Sequence, residues 1–305
     1  MKKICMKPIF ISALLVFVVV SCNNQPDFEN GFAEVNETSI YYEVAGKGEP
    51  IVFVHGNFGD RRHWDFQFEP LSKNFKVLRY DVRGYGKSAL PKPDEVYYDT
   101  EDLKALLDYL GIEKAHICGV SMGSGIIIDF ALEHPEMCLS VIPTGPWAVG
   151  FGTGEYKSPA ADSLFTVMAK TAAIAKEKGS KEATDYFWTG NNVMSPTANK
   201  SKSTLDSLLR MGYDYSYWGF LNQNKRSNTT PPAIGRLKEI KIPTLIITSE
   251  YDADACKENA EIMDNDIPNS TKISINGAGH LMNMDKPEEF NKAISDFITK
   301  QKQYH

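Results

Sequence analysis

The stretch Gly119-Val120-Ser121-Met122-Gly123 joins a short apolar run with strand character, residues 116–120, to the apolar segments Gly125-Ile126-Ile127-Ile128 and Phe130-Ala131-Leu132, which read as a buried helix. A strand that turns this sharply into a helix needs glycine on either side of the turning residue, because side chains there collide with the neighbouring strand and helix. The turn lifts Ser121 above the sheet edge. It also aims the unpaired N–H groups and the positive dipole end of the following helix at the same point. A strand–serine–helix junction of this kind implies a sheet with helices packed against it.

The rest of the chain repeats that alternation. Residues 32–35 and 38–44 flank Asn36-Glu37 as an antiparallel hairpin, and residues 51–54 form a short β-branched run expected of a fully buried strand. Strands at 75–80, 116–120 and 139–142 alternate with helices near 100–110 and 122–133. The pattern resumes with strands at 244–248 and 272–275, a helix near 255–263, and an amphipathic helix from about 287 to 300. The predicted class is α/β, a mostly parallel sheet with helices on both faces and the N-terminal hairpin as its antiparallel edge. Residues 143–240 interrupt the alternation. No buried-strand pattern occurs there, whereas 160–178, 181–188 and 203–211 have helical periodicity, so this segment is expected to be a helical cap inserted between core segments 32–142 and 241–305.

The first residues belong to a different regime. Lys2, Lys3 and Lys7 precede an apolar run over 8–20 that is too short to span a bilayer and fits the core of a signal peptide, residues 1–21. Val19-Val20-Ser21-Cys22 resembles the lipobox of bacterial lipoproteins, which implies lipidation of Cys22, a polar tether over 22–31, and a protein held on a membrane of the bacterial cell envelope, outside the cytoplasm. Removing 1–21 deletes three lysines and no acids, taking the formal charge from −6 to −9, so nucleic acid is not an expected partner. Beyond Cys22 only Cys118, Cys138 and Cys256 remain, an odd number that argues for free thiols rather than a disulfide framework.

Three further segments carry chemistry. His55-Gly56-Asn57-Phe58-Gly59 follows the strand 51–54, the position from which such a sheet takes a second oxyanion donor; Asn57 N–H is the candidate, paired with Met122 N–H, and His55 is read as bracing the loop. The strand 243–248 leads into Ser249-Glu250-Tyr251-Asp252-Ala253-Asp254, and Gly277-Ala278-Gly279-His280 follows the strand 272–275. Together with Asp81-Val82-Arg83-Gly84-Tyr85-Gly86-Lys87-Ser88, these motifs stand in the order and spacing of the α/β-hydrolase superfamily, which the chain resembles from about Phe32 to its last helix. The resemblance implies Ser121 as nucleophile, His280 as general base, and an acid three residues beyond a strand-ending Gly or Ser, which selects Asp252 over Asp254 and Glu250. Arg83 is expected to pair structurally. The proline that usually follows the acid is absent, Ala255 and Cys256 standing there instead.

The reaction implied is acyl transfer through an acyl-enzyme, with a small ester or lactone as acyl substrate and neither metal nor organic cofactor. Serine at the nucleophile position departs from the aspartate of haloalkane dehalogenases and epoxide hydrolases. Carbon–carbon bond hydrolases, perhydrolases and aminopeptidases share the triad, and a catalytically silent binding protein can share the scaffold, so these stand as the alternatives.

Overall fold

The computed structural model of the chain describes residues 28–92, 94–198, 201–222 and 226–302. The signal segment and Cys22 lie outside the described residues. Among those described, no helix is long and apolar enough to cross a membrane.

The strands are β1 (Phe28–Val35), β2 (Thr38–Ala45), β3 (Pro50–Val54), β4 (Lys76–Tyr80), β5 (Tyr97–Tyr98), β6 (Ala115–Val120), β7 (Cys138–Thr144), β8 (Arg226–Ser227), β9 (Thr244–Ser249) and β10 (Ser270–Ile275). The core helices are α1 (Asp65–Ser72), α2 (Asp99–Tyr109) and α3 (Met122–Glu133). Between β7 and β9 come α4 (Pro159–Lys178), α5 (Ser180–Thr189), α6 (Ser195–Ala198), α7 (Lys202–Asp214) and α8 (Trp218–Leu221). The chain ends with α9 (Asp254–Asp266), α10 (Met282–Asp285) and α11 (Pro287–Lys302).

Eight strands form one sheet in the order β1-β2-β4-β3-β6-β7-β9-β10. The β1–β2 hairpin pairs antiparallel and β2 joins β4 antiparallel, while the remaining pairs are parallel. Runs with no polar alternation sit where both faces are covered: every residue of β6 and β9 is buried, as are Ile51 to Val54 of β3. From β3 the chain first moves outward to β4, then returns to β6 on the other side of β3 and proceeds through β7, β9 and β10. The order therefore reverses between β3 and β6, and the crevice beyond the carboxyl ends of those two strands is where ligands bind in open α/β sheets.

Four details differ from the sequence reading. β1 begins at Phe28, inside the stretch assigned to the tether, because its register with Ala45 extends the hairpin to the full length of β2. β7 runs to Thr144, two residues into the expected cap, where it still pairs with β6 and β9. A two-stranded parallel ladder, β5 with β8, ties residue 97 to residue 226. Helix α1 was not expected at all, because Pro70 within it cannot donate the backbone bond to Phe66 O. Asn291 of α11 donates its side-chain amide to that carbonyl at 3.0 Å, so a partner more than two hundred residues away restores what proline removes.

Candidate active site

Ser121 sits between β6 and α3 with φ 55° and ψ −113°, a strained backbone for a residue with a side chain. The flanking glycines make it possible. A Cβ on Gly119 would stand 2.3 Å from Gly123 O, and one on Gly123 would stand 2.2 Å from Val54 O, so β3, β6 and α3 approach one another more closely than any side chain permits. Ser121 N donates to Thr144 O of β7 at 2.9 Å, fixing the turn to the next strand as well.

The loop after β3 is held by two histidines. Val82 N donates to His55 Nε2 at 3.0 Å, which leaves Nδ1–H to donate to Gly56 O at 2.8 Å. Gly56 N donates to His63 Nδ1 at 3.2 Å. Both peptide groups flanking Gly56 are thereby oriented, and the second of them carries the Asn57 N–H. Burial lowers His55 and pushes His63 down to about 3, with His55 beside it adding to the effect, so both rings stay neutral. The Tyr85 hydroxyl donates to Asn57 Oδ1 at 2.5 Å, and its ring stacks on Tyr215 at 4.7 Å between centroids. Asn57 N–H and Met122 N–H have no hydrogen-bond partner among the described residues.

His280 Nδ1 lies 2.6 Å from Asp252 Oδ1, and neither side chain is appreciably exposed. The loop that brings them together is stitched to the end of β9. Ser249 Oγ donates to Gly279 O at 2.7 Å, Tyr251 N donates to Ala278 O at 3.0 Å, and Gly279 N donates to Asp285 Oδ2 at 2.8 Å. β9 ends at Ser249, three residues before Asp252. With Nδ1–H turned to Asp252, the tautomer leaves Nε2 as an acceptor. Asp254 is placed differently: it opens α9, is 81% exposed, and pairs with Lys257. Glu250 accepts from Gly277 N at 2.9 Å on the protein surface. Arg83 is fully enclosed by Asp102, Glu95 and Asn36 O, away from the serine loop.

Ser121, His280, Asn57 and Met122 all line one cavity of about 370 Å³ at the carboxyl ends of β3 and β6. The segment between β7 and β9, loops as well as helices, supplies most of its other lining residues, with Trp147, Phe165, Met168 and Phe187 among them. Sequence reading missed His63, Tyr85, Cys256 and Arg226, which also line it. Tyr85 stands inside the Asp81–Ser88 motif and Cys256 four residues after Asp252, but neither pattern assigns them to the cavity wall, and His63 and Arg226 stand in no local pattern at all. Asp252, Cys256 and His280 place three potential ligand atoms within 4.8 Å of one another. Here the His280 Nδ1–H is directed at Asp252, while burial and the adjacent Asp252 push the Cys256 thiol up, an arrangement suited to a hydrogen-bonded pair rather than to an ion.

The sequence model described as the alpha/beta hydrolase fold matches residues 49–287. This chain belongs to that family. The hydrolase is 26% identical over 252 residues to a 3-oxoadipate enol-lactonase of Acinetobacter baylyi, covering 81% of this chain and 88% of the relative. It is 24% identical over 279 residues to a 2-hydroxy-6-oxo-6-phenylhexa-2,4-dienoate hydrolase of Comamonas testosteroni, covering 88% and 95%. The solved enol-lactonase of Burkholderia xenovorans shares the fold, with a TM-score of 0.73, 24% identity, and coverage of 88% of this chain and 100% of that one. Hydrolase activity is what the family and these relatives support.

Proposed function

We propose that the protein is a serine hydrolase that cleaves a small ester or lactone through an acyl-enzyme. The observation that carries this reading is that the strained Ser121 and the Asp252–His280 pair open into the same cavity. In the proposed reaction His280 Nε2 takes the Ser121 proton as Oγ attacks the carbonyl, and the N–H groups of Asn57 and Met122 receive the oxyanion. Asp252 holds the imidazole tautomer and stabilises the imidazolium. The alcohol leaves with the proton from His280, after which water, deprotonated by His280, attacks the acyl-enzyme and releases the acid.

Similarity to an enol-lactonase supports the ester or lactone class. Carbon–carbon bond hydrolysis is the second reading, favoured by similarity to the dienoate hydrolase and reached with the same residues. We take residues 143–240 to act as a cap that selects substrate, and residues 1–22 to export the protein and anchor it by lipid at Cys22. A panel of p-nitrophenyl esters, lactones and vinylogous 1,5-diketones tests the assignment. Ester or lactone turnover at least about tenfold above diketone cleavage in kcat/KM is expected, and diketone cleavage as the dominant activity would move the reading to the second class.

A further inference from the structure

The cavity is apolar over most of its wall, and among the described residues that line it Arg226 is the one Lys, Arg, Asp or Glu. Its backbone is fixed by the β5–β8 ladder, opposite Tyr97. Its Nε donates to Asp99 Oδ2 at the start of α2, and the carboxylate compensates the charge that burial would otherwise penalise. The far edge of the guanidinium is another matter: its Nη groups have no hydrogen-bond partner among the described residues, and the side chain keeps 18% of its surface.

A second buried arginine in the same part of the fold shows what a purely structural one looks like. Arg83 uses Nε, Nη1 and Nη2 together on Asp102, Glu95 and Asn36 O and is 2% exposed. Arg226 spends Nε on Asp99 and, as a residue that lines the cavity, leaves its Nη edge without a partner among the described residues. A guanidinium held in that way offers two parallel N–H donors, the geometry that a planar carboxylate accepts in bidentate fashion. Its location is defined too. Arg226 acts electrostatically on Tyr85 and His55, and Tyr85 bonds Asn57, so the cation lies on the oxyanion-loop side of the cavity. Asn228, two residues on, also lines the cavity.

We propose that Arg226 is an anion subsite, and that the natural substrate carries a carboxylate in addition to the carbonyl that Ser121 attacks. The proposal rests on the serine-hydrolase reading and narrows it to acids that bear an ester or lactone. Asp99 acts as a positioning residue that keeps the guanidinium oriented while the subsite is empty.

The test compares mono-p-nitrophenyl esters of succinate, glutarate and adipate with p-nitrophenyl butyrate, valerate and hexanoate, with Ser121→Ala supplying the background. For at least one chain length the wild-type protein is expected to favour the anionic ester by about tenfold or more in kcat/KM, largely through KM. In Arg226→Gln that ratio is expected to fall by about tenfold, with Arg226→Lys between the two. An equal ratio in wild type and Arg226→Gln, or a wild-type preference for the neutral ester at every length, overturns the subsite. Should Arg226→Gln fail to fold, inhibition of the wild-type protein decides. Monomethyl adipate is expected to inhibit neutral-ester hydrolysis at least about tenfold more strongly than dimethyl adipate, and equal inhibition overturns the proposal. Absence of turnover on all six esters together with no fluorophosphonate adduct would instead mark failure of the serine-hydrolase reading itself.

Discussion

Asp252 and Asp254 are two residues apart and differ in almost everything that matters to a histidine. Asp252 is enclosed, bonds the His280 Nδ1 and accepts from Ala253 N at 2.7 Å; Asp254 stands in solvent against Lys257. We expect Asp252→Asn to lower kcat by about four orders of magnitude with folding intact, because the amide favours the wrong imidazole tautomer. Asp254→Asn should change kcat by less than about threefold, since an exposed pair contributes little. Steady-state kinetics of both variants on one activated ester checks this, and a larger loss in Asp254→Asn would transfer the acid to that residue. His63 gives a prediction in pH. Burial depresses it to about 3 from 6.5, so between those values the unfolded chain binds a proton that the folded protein refuses. The stability associated with neutral His63 is therefore complete above pH 6.5 and lost as pH falls toward 3, with a loss of about 2 kcal/mol already at pH 5. Denaturant melts from pH 8 to pH 4 should show a shallower acid decline in His63→Gln than in the wild-type protein, and identical declines would remove His63 from the account.

The strand–serine–helix junction works as an element because three backbones meet there with no room for side chains. Gly123→Ala places a methyl group against Val54 O and should cost roughly 3 kcal/mol or more, lowering the melting temperature by about 5 °C or more in a domain of this size. Activity should fall with it, because relief of the clash moves Ser121. Gly235→Ala, where no atom lies within 4 Å of the added carbon, is the control and should be nearly silent. Scanning calorimetry of the two variants tests the difference. Elements that announce themselves in sequence are those whose own residues carry the driving force. β3, β6 and β9 show as unbroken apolar runs, α3 as an apolar stretch behind a glycine-flanked serine, and α11 by its amphipathic period. Ser121, Asp252 and His280 are legible as candidates for the same reason, since each ends a strand that can be recognised alone. Helix α1 and the β5–β8 ladder are not legible, because Asn291 repairs the first and the second is two residues long. His63 and Arg226 reach the cavity only through the folded path of the chain, and their local sequence carries no trace of that, while the motif around Tyr85 reads as a turn and does not show that its ring lines the cavity.

At the scale of the molecule, the cavity lies at the β3–β6 reversal of one sheet, and the segment between β7 and β9 supplies most of its lining. β1 starts at Phe28, six positions after Cys22 in the sequence, so the lipid proposed on that cysteine is separated from the sheet by only a few residues. Cys22→Ala should therefore move the protein from the membrane to the soluble fraction with the specific activity of the domain kept within about twofold. Fractionation of cells expressing the two forms checks this, and unchanged membrane partition would show that another element anchors the chain. In the proposed reaction one serine, raised on a strained turn into the cavity, is the nucleophile of an acyl transfer. Its most direct test is to label the intact protein with a fluorophosphonate, follow residual ester hydrolysis, and map the modified peptide by mass spectrometry. The account predicts a single stoichiometric adduct on Ser121, loss of activity in step with labelling, and neither adduct nor appreciable turnover in a folded Ser121→Ala variant; an unlabelled Ser121, or hydrolysis that persists in that variant, would contradict it.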